Sequence, residues 1–404
     1  MPKVFVPREA DAAETRVAAT PETVKRLVAA GFEVSLASGA GERASFVDAA
    51  YASQGAQIVR DDAVVAHLTE ADVVLSVGLP SESNCARLKR GALLIAFASH
   101  HGPLAQLRAL NDAGVTVVAM ELVPRISRAQ SMDALSSQAS IAGYKAVLIA
   151  AAELDKYFPL LMTAAGTIQP ARVVIMGAGV AGLQAIATAK RLGAVVEVSD
   201  VRPAVKEQVA SLGGRFIEVP LEAGEGGEDA RGYAKEVSAE FLKRQQAIVR
   251  ERVVAADVVI TTALVPGKPA PKLITAEMVK AMRPGSVIVD LAVVQGGNCE
   301  LSEPGRSVKH GVVIVAPENV PATVPLDASQ LYARNVLALL LHYQKHGLGQ
   351  PDLNEEIIAS ATLAVGGEVR HAASAARLSP ETAATPASAE ASPGVKTPSG
   401  KVST

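Results

Sequence analysis

Residues 172–202 read RVVIMGAGVAGLQAIATAKRLGAVVEVSDVR, and no other stretch constrains the fold as tightly. Val173, Val174, Ile175 and Met176 form a short uncharged apolar run, which suits a strand buried on both faces of a parallel sheet. Gly177, Gly179 and Gly182 follow at the spacing G-x-G-x-x-G, and residues 183–192 continue in good helix formers. Gly177 permits a tight turn, Gly179 lets the backbone come close to a pyrophosphate, and Gly182 lets helix and strand pack closely. Phosphates then sit at the helix N-terminus, where N–H groups and the dipole favour negative charge. Residues 195–199 make the next strand and Asp200 ends it, placed to accept hydrogen bonds from an adenosine ribose. An acid there favours NAD over NADP, because a 2′-phosphate would meet a negative charge. Arg202 tempers that preference if it pairs with a phosphate; otherwise it caps the loop at the surface. The glycine pattern is weak by itself, but its strand, helix and acid together specify a dinucleotide site.

A chain of 404 residues is long for one core, so two domains are expected. With 49% hydrophobic and 20% charged residues, the composition is that of a well-packed soluble protein. A formal charge of -2 gives no basic excess to neutralise phosphates, which argues against a nucleic-acid partner. Aromatics at 3% with no Trp leave few platforms on which bases could stack. Cys85 and Cys299 lie far apart without metal-ligand spacing and suit a reducing compartment. The N-terminus carries no signal-peptide core, and the chain reads as cytoplasmic. His342 and His346 are spaced i, i+4 but have no visible third ligand, so no metal is expected.

Apolar runs at residues 4–6, 32–36, 73–77, 93–97 and 115–120 read as strands, with helices at 20–30, 61–70 and 103–113 between them. Thr20 is the N-cap of the first helix and Pro21 its first residue. This alternation indicates parallel βα units. Residues 131–157, free of Pro, are long enough to bridge two domains. Further strands are expected at 258–262, 287–290 and 312–315, and a helix at 328–346 returns to the first domain. The fold class is therefore α/β, with two Rossmann-like, doubly wound parallel-sheet domains and a cleft between them. Residues 1–130 with 326–371 form the first, discontinuous domain, and residues 131–325 the nucleotide domain. The glycine-rich stretch 221–232, leading into Tyr233, is either a surface insertion or a lid over bound nucleotide. Residues 372–404, mostly Ala, Ser, Thr, Pro and Gly, read as a disordered tail.

Residues 121–144 read ELVPRISRAQSMDALSSQASIAGY, a polar run that periodicity does not explain. Together with GAGVAGLQAIATAKRLGAVVEVSDVR, TTALVPGKPAPKLIT and PGSVIVDLAVVQGGNC, it resembles the NAD(H)-binding subunit of proton-translocating transhydrogenases over about residues 1–346. The resemblance implies hydride transfer between NAD(H) held here and NADP(H) held on a partner polypeptide, coupled to proton movement through a membrane-embedded component. It also implies a homodimer docked at the cytoplasmic face of a membrane through those partner subunits. By motif, Arg125, Ile126, Ser127, Gln130, Ser131, Met132 and Asp133 would border the nicotinamide, with Ser136 close by. Ala178, Gly179 and Val180 would meet the pyrophosphate, and Asp200, Val201 and Arg202 the ribose region. Gly232, Tyr233 and Gln245 would belong to a mobile loop and the helix after it, and Leu264 would line the site. The side chains suit these roles: Arg125 offers planar donors, Gln130 offers donor and acceptor, and Asp133 can fix Arg125 by a charge-assisted pair. An ordinary loop ion pair between Arg125 and Asp133 is the plainer reading.

Alanine dehydrogenases resemble the chain too, and the reaction decides between them. Oxidising an amine requires a proton acceptor, whereas hydride exchange between two nicotinamides moves no proton at the reacting carbons. Where alanine dehydrogenases carry a lysine, this chain has VVLSVGLP at residues 73–80; their histidine falls on Ser99, and their aspartate on Val294. Arg16 matches their substrate arginine, but transhydrogenases have it as well. His100 and His101 beside Ser99 keep an acid–base enzyme open as an alternative, and a nucleotide-binding module without turnover is a third reading.

Overall fold

The computed structural model describes residues 1–98, 104–218, 239–264 and 268–378. The chain first lays down strands β1 (Lys3–Val6), β2 (Glu33–Ala37), β3 (Gln57–Val59), β4 (Val73–Leu75), β5 (Leu93–Ala96) and β6 (Thr116–Ala119). Helices α1 (Pro21–Ala29), α2 (Asp48–Ala52), α3 (Val64–Glu70), α4 (Glu82–Cys85) and α5 (Leu104–Asp112) are interleaved with them. Helix α6 (Ala134–Glu153) leads to a hairpin of β7 (Leu161–Thr163) and β8 (Gly166–Ile168). There follow β9 (Arg172–Met176), α7 (Val180–Arg191), β10 (Val195–Ser199), α8 (Lys206–Ser211), β11 (Arg215–Phe216), α9 (Ala239–Val254), β12 (Val258–Thr261) and α10 (Ala276–Ala281). The chain closes with β13 (Val287–Asp290), β14 (Gly305–Lys309), β15 (Val312–Ala316), α11 (Pro325–Lys345), α12 (Glu356–Ala361), β16 (Thr362–Val365), β17 (Glu368–Val369) and α13 (Ala372–Leu378).

Two large sheets result, ordered β17-β16-β6-β5-β4-β1-β2-β3 and β11-β10-β9-β12-β13-β15-β14. Within each, the βα strands pair in parallel, while β16, β17 and β14 run antiparallel at the edges. The α/β class with two doubly wound sheets follows from the sequence pattern: β4, β5, β6, β9, β12 and β13 carry no charge except at their ends and are buried along their apolar lengths. Strands β16 and β17 reach the first sheet from the far end of the chain, delivered by α11, whose Tyr332 and Tyr343 are fully buried in the first core. The leucines and valines packed around those two rings contribute about 1.5–3 kcal/mol each by their burial.

Thr20 caps α1 by accepting from Thr23 N, with Pro21 at its first position, as the sequence indicates. The stretch expected as tail begins differently: residues 372–378 form α13, with Ser374 buried and hydrogen bonded to His371. Its alanines favour helix strongly enough to offset the low-complexity composition once the hairpin β16–β17 offers a surface.

Helix α6 joins the two halves. A Cβ at Gly143 would fall 2.0 Å from the Ala181 carbonyl oxygen, so α6 touches the first turn of α7 there. At the other end Leu154 and Phe158 line a groove with Arg191 and Leu192, and Gly193 abuts Pro159. The two helices therefore run side by side in the same direction, and the first nine residues of α6 extend past the start of α7 by about 13 Å.

Candidate functional site

Register across the second sheet sets Ser199, Met176, Thr261 and Asp290 in one row, at the C-terminal ends of β10, β9, β12 and β13. Successive strands leave β9 in opposite directions, to β10 on one side and β12 on the other, so a crevice opens at this switch point. Gly177 turns the chain there with φ of +103°, a left-handed conformation that other residues adopt at a cost. The Thr262 hydroxyl donates to the carbonyls of Met176 and Gly177 at 3.2 Å and holds the turn from beneath. A Cβ at Gly182 would fall 1.9 Å from the Gly177 carbonyl oxygen, whereas one at Gly179 would meet nothing within 4 Å. Gly182 thus lets α7 close on the turn, and Gly179 fronts open space. Gly179 is also the N-cap of α7 and no side chain caps the helix, so its first N–H groups and positive dipole end face the crevice.

Asp200 stands beside this turn. Its Oδ2 accepts from Ala178 N at 2.7 Å and from Arg202 Nη2 at 3.0 Å, and its Oδ1 accepts from Arg202 N at 2.8 Å and Nε at 3.0 Å. Burial opposes ionisation, but these donors outweigh it and hold the carboxyl below its ordinary value. The Asp200 side chain is 6% exposed and that of Arg202 33%. Arg202 therefore neither caps the loop nor stands free for a phosphate; it folds back onto Asp200. Val180, Val201 and Leu264 are exposed around the same rim, as is Val294.

The polar run before α6 is arranged differently from the expected ion pair. Asp133 is the N-cap of α6: its carboxylate accepts from Ser136 N at 2.9 Å and from the Ser136 hydroxyl at 2.6 Å. Arg125 is exposed and pairs with no described residue, so the expected Arg125–Asp133 bridge is absent because the helix end claims the carboxylate. Ile126 packs against the first core, Met132 is buried, and Ser127, Gln130 and Ser131 are exposed on the 3-10 turn Ser127–Met132. Asn335 of α11 donates to the Ser131 carbonyl at 2.8 Å, and Arg128 reaches Glu355 and Glu356, so the turn is tied to the first half of the molecule. The glycine turn, Asp200, Val201, Arg202 and Leu264 are thus gathered on one rim, with residues 125–136 at the overhanging end of α6. Gly232 and Tyr233, the 221–232 loop, and Ser99, His100 and His101 lie outside the described residues, as does the side chain of Gln245 on α9.

Comparison with known proteins bears on this arrangement. The family models for the N-terminal and C-terminal domains of alanine dehydrogenase/PNT match residues 5–142 and 146–372. The chain belongs to this family. An NAD(P) transhydrogenase subunit alpha chain from Rhodospirillum rubrum is 54% identical over 347 residues, covering 84% of this chain and 89% of that one. Alanine dehydrogenase from Bacillus subtilis is 32% identical over 331 residues, covering 80% of each. Among solved structures, transhydrogenase from Sinorhizobium meliloti superposes with a TM-score of 0.82 at 45% identity, covering 91% of this chain and 99% of that one.

Two features of this alanine dehydrogenase/PNT chain escape a reading of the sequence. At the switch point of the first sheet, between β1 and β4, Glu9 accepts from Val77 N at 2.7 Å and Gly78 N at 3.0 Å. Burial pushes its carboxyl up to about 7 in spite of those donors. Nearby, Arg16 is spanned by Glu14, which accepts from its Nε at 2.8 Å and Nη2 at 2.6 Å, while Nη1 donates to Gln138 of α6 at 2.8 Å. Gln138 in turn donates to the Ala328 carbonyl, Asn319 donates to Glu14, and Thr15 donates to the Ala322 carbonyl. The residue that matches a substrate arginine here joins the two halves. A buried Glu-x-Arg pair is visible in the sequence; its partners 122 and 305 residues away are not.

Proposed function

We propose that the chain is the NAD(H)-binding component of a proton-translocating transhydrogenase, exchanging hydride with NADP(H) held on a partner subunit. The observation that carries this is the uncapped start of α7 behind the open space at Gly179, with Asp200 one strand away. That geometry fits a dinucleotide: the helix N-terminus would hold the pyrophosphate and Asp200 the adenosine ribose. The nicotinamide supplies the hydride carrier. Gln130, Ser131, Asp133, Ser136 and Arg125, at the overhanging end of α6, would border it, and the exposed Val180, Val201 and Leu264 would pack against the nucleotide's apolar faces. The identity to the Rhodospirillum rubrum protein supports the assignment.

The same reading takes residues 1–130 with 326–371 as one domain and 131–325 as the nucleotide domain. No helix among the described residues is long and apolar enough to cross a membrane. A membrane-embedded partner would therefore hold the complex at the cytoplasmic face. Exposed Tyr157, Leu160, Met162 and Ile168 around the β7–β8 hairpin support a homodimer.

A second reading, oxidation of an amino acid, draws on the 32% identity to alanine dehydrogenase. Against it stand Val294, an exposed apolar residue where a carboxylate would be wanted, and Arg16, whose donors are taken by Glu14 and Gln138. The deciding experiment adds purified protein to membranes stripped of this chain and follows reduction of an NAD analogue by NADPH. Restored activity is expected; no restoration, with L-alanine oxidised by NAD in the control, would move the assignment to the dehydrogenase.

A further inference from the structure

A carboxylate offers about four acceptor positions, two on each oxygen. On Asp200 all four are taken, and they divide into two kinds. Ala178 N and Arg202 N are backbone donors fixed by the turn, one to each oxygen. Arg202 Nη2 and Nε come from a side chain that is 33% exposed, again one to each oxygen. If the guanidinium swings away, one acceptor position opens on each oxygen. A ribose with free 2′- and 3′-hydroxyls carries two adjacent donors, which is the matching number.

We propose that Arg202 is an exchangeable counter-ion of the ribose subsite, and that a vicinal diol binds Asp200 by displacing the guanidinium, one hydroxyl replacing each of its two bonds. This rests on the reading of the crevice as a nucleotide site and adds how that site selects. A neutral diol restores every bond the carboxylate loses. A 2′-phosphorylated ribose brings only one of the two hydroxyls and sets a dianion beside Asp200, although the displaced guanidinium, still tethered at the same turn, partly offsets that charge. Arg202 thus opposes the diol and favours the 2′-phosphate, so it narrows a preference that Asp200 creates. Its removal should move the two nucleotides in opposite directions.

The test is NADH and NADPH titration of the purified full chain and its Arg202→Ala and Arg202→Lys variants, followed by nucleotide fluorescence. An ionic strength of about 0.15 M screens attraction beyond about 8 Å, leaving the local exchange as the main difference. Arg202→Ala keeps the backbone donors and should bind NADH about three- to five-fold more tightly, the worth of a partly exposed ion pair. NADPH affinity should fall. Arg202→Lys, which keeps the charge without the two-pronged geometry, should lie between. Unchanged or weaker NADH binding in Arg202→Ala would overturn the exchange and make Arg202 a direct nucleotide contact. Failure of the wild-type chain to bind either nucleotide would instead remove the nucleotide reading on which the exchange depends.

Discussion

Two carboxylates at equivalent points of the two sheets meet opposite fates. Asp200 is surrounded by donors and held ionised, whereas Glu9 has two backbone donors and is pushed up to about 7 by burial. Because the folded value of Glu9 lies above its ordinary value of 4.5, the folded state holds the proton more tightly than the unfolded chain. Its contribution is then largest in acid and is lost as pH rises from about 4.5 through about 7. Glu9→Gln does not titrate, so wild-type stability relative to the variant should decline across that window by roughly 3 kcal/mol at most. Urea unfolding of both proteins at a series of pH values checks this, and parallel curves would show that Glu9 does not titrate there. At this scale the sequence displays which residues are present but not their partners. Asp200 is legible as an acid at a strand end; its saturation by Arg202 depends on a rotamer. Asp133 is recognisable as a cap from its place before an apolar helix, and the family resemblance draws attention to Arg125 instead.

Elements are more legible than partners, for a physical reason. Buried parallel strands such as β9 and β12 must be uncharged throughout their interiors, and that leaves a mark on the sequence. The short edge pieces β3, β11, β14 and β17 and the exposed hairpin β7–β8 need no such run and leave none. The turn Ser127–Met132 lies between these cases: its polar sequence is distinctive, yet its shape comes from ties to α11 and α12. Gln130 is exposed on that turn and makes none of the described ties. Gln130→Ala should therefore leave fold and NADH affinity within about two-fold, as an exposed substitution does, while slowing hydride transfer with the partner by about ten-fold or more. Single-turnover rates beside NADH titration separate the two effects, and an unchanged transfer rate would remove Gln130 from the site.

At the scale of the molecule, one helix belongs to both halves. Ser137 and Gln138 of α6 bond Asn335 and the Ala328 carbonyl in the first half, while Gly143 is in backbone contact with α7 in the second. These attachments lie within two turns of a single unbroken helix. A clamshell enzyme needs a hinge between its jaws, and here that place is taken by a rigid spar. The cleft then behaves as a gauge of fixed width, set by helix pitch rather than by ligand. X-ray scattering of the chain with and without NADH should accordingly give one radius of gyration, and a contraction of several ångströms would show that the spar bends. A jaw that does not move leaves the timing of nucleotide capture and release to side chains and loops at the rim, and makes the distance offered to a docking partner the same before and after each turnover.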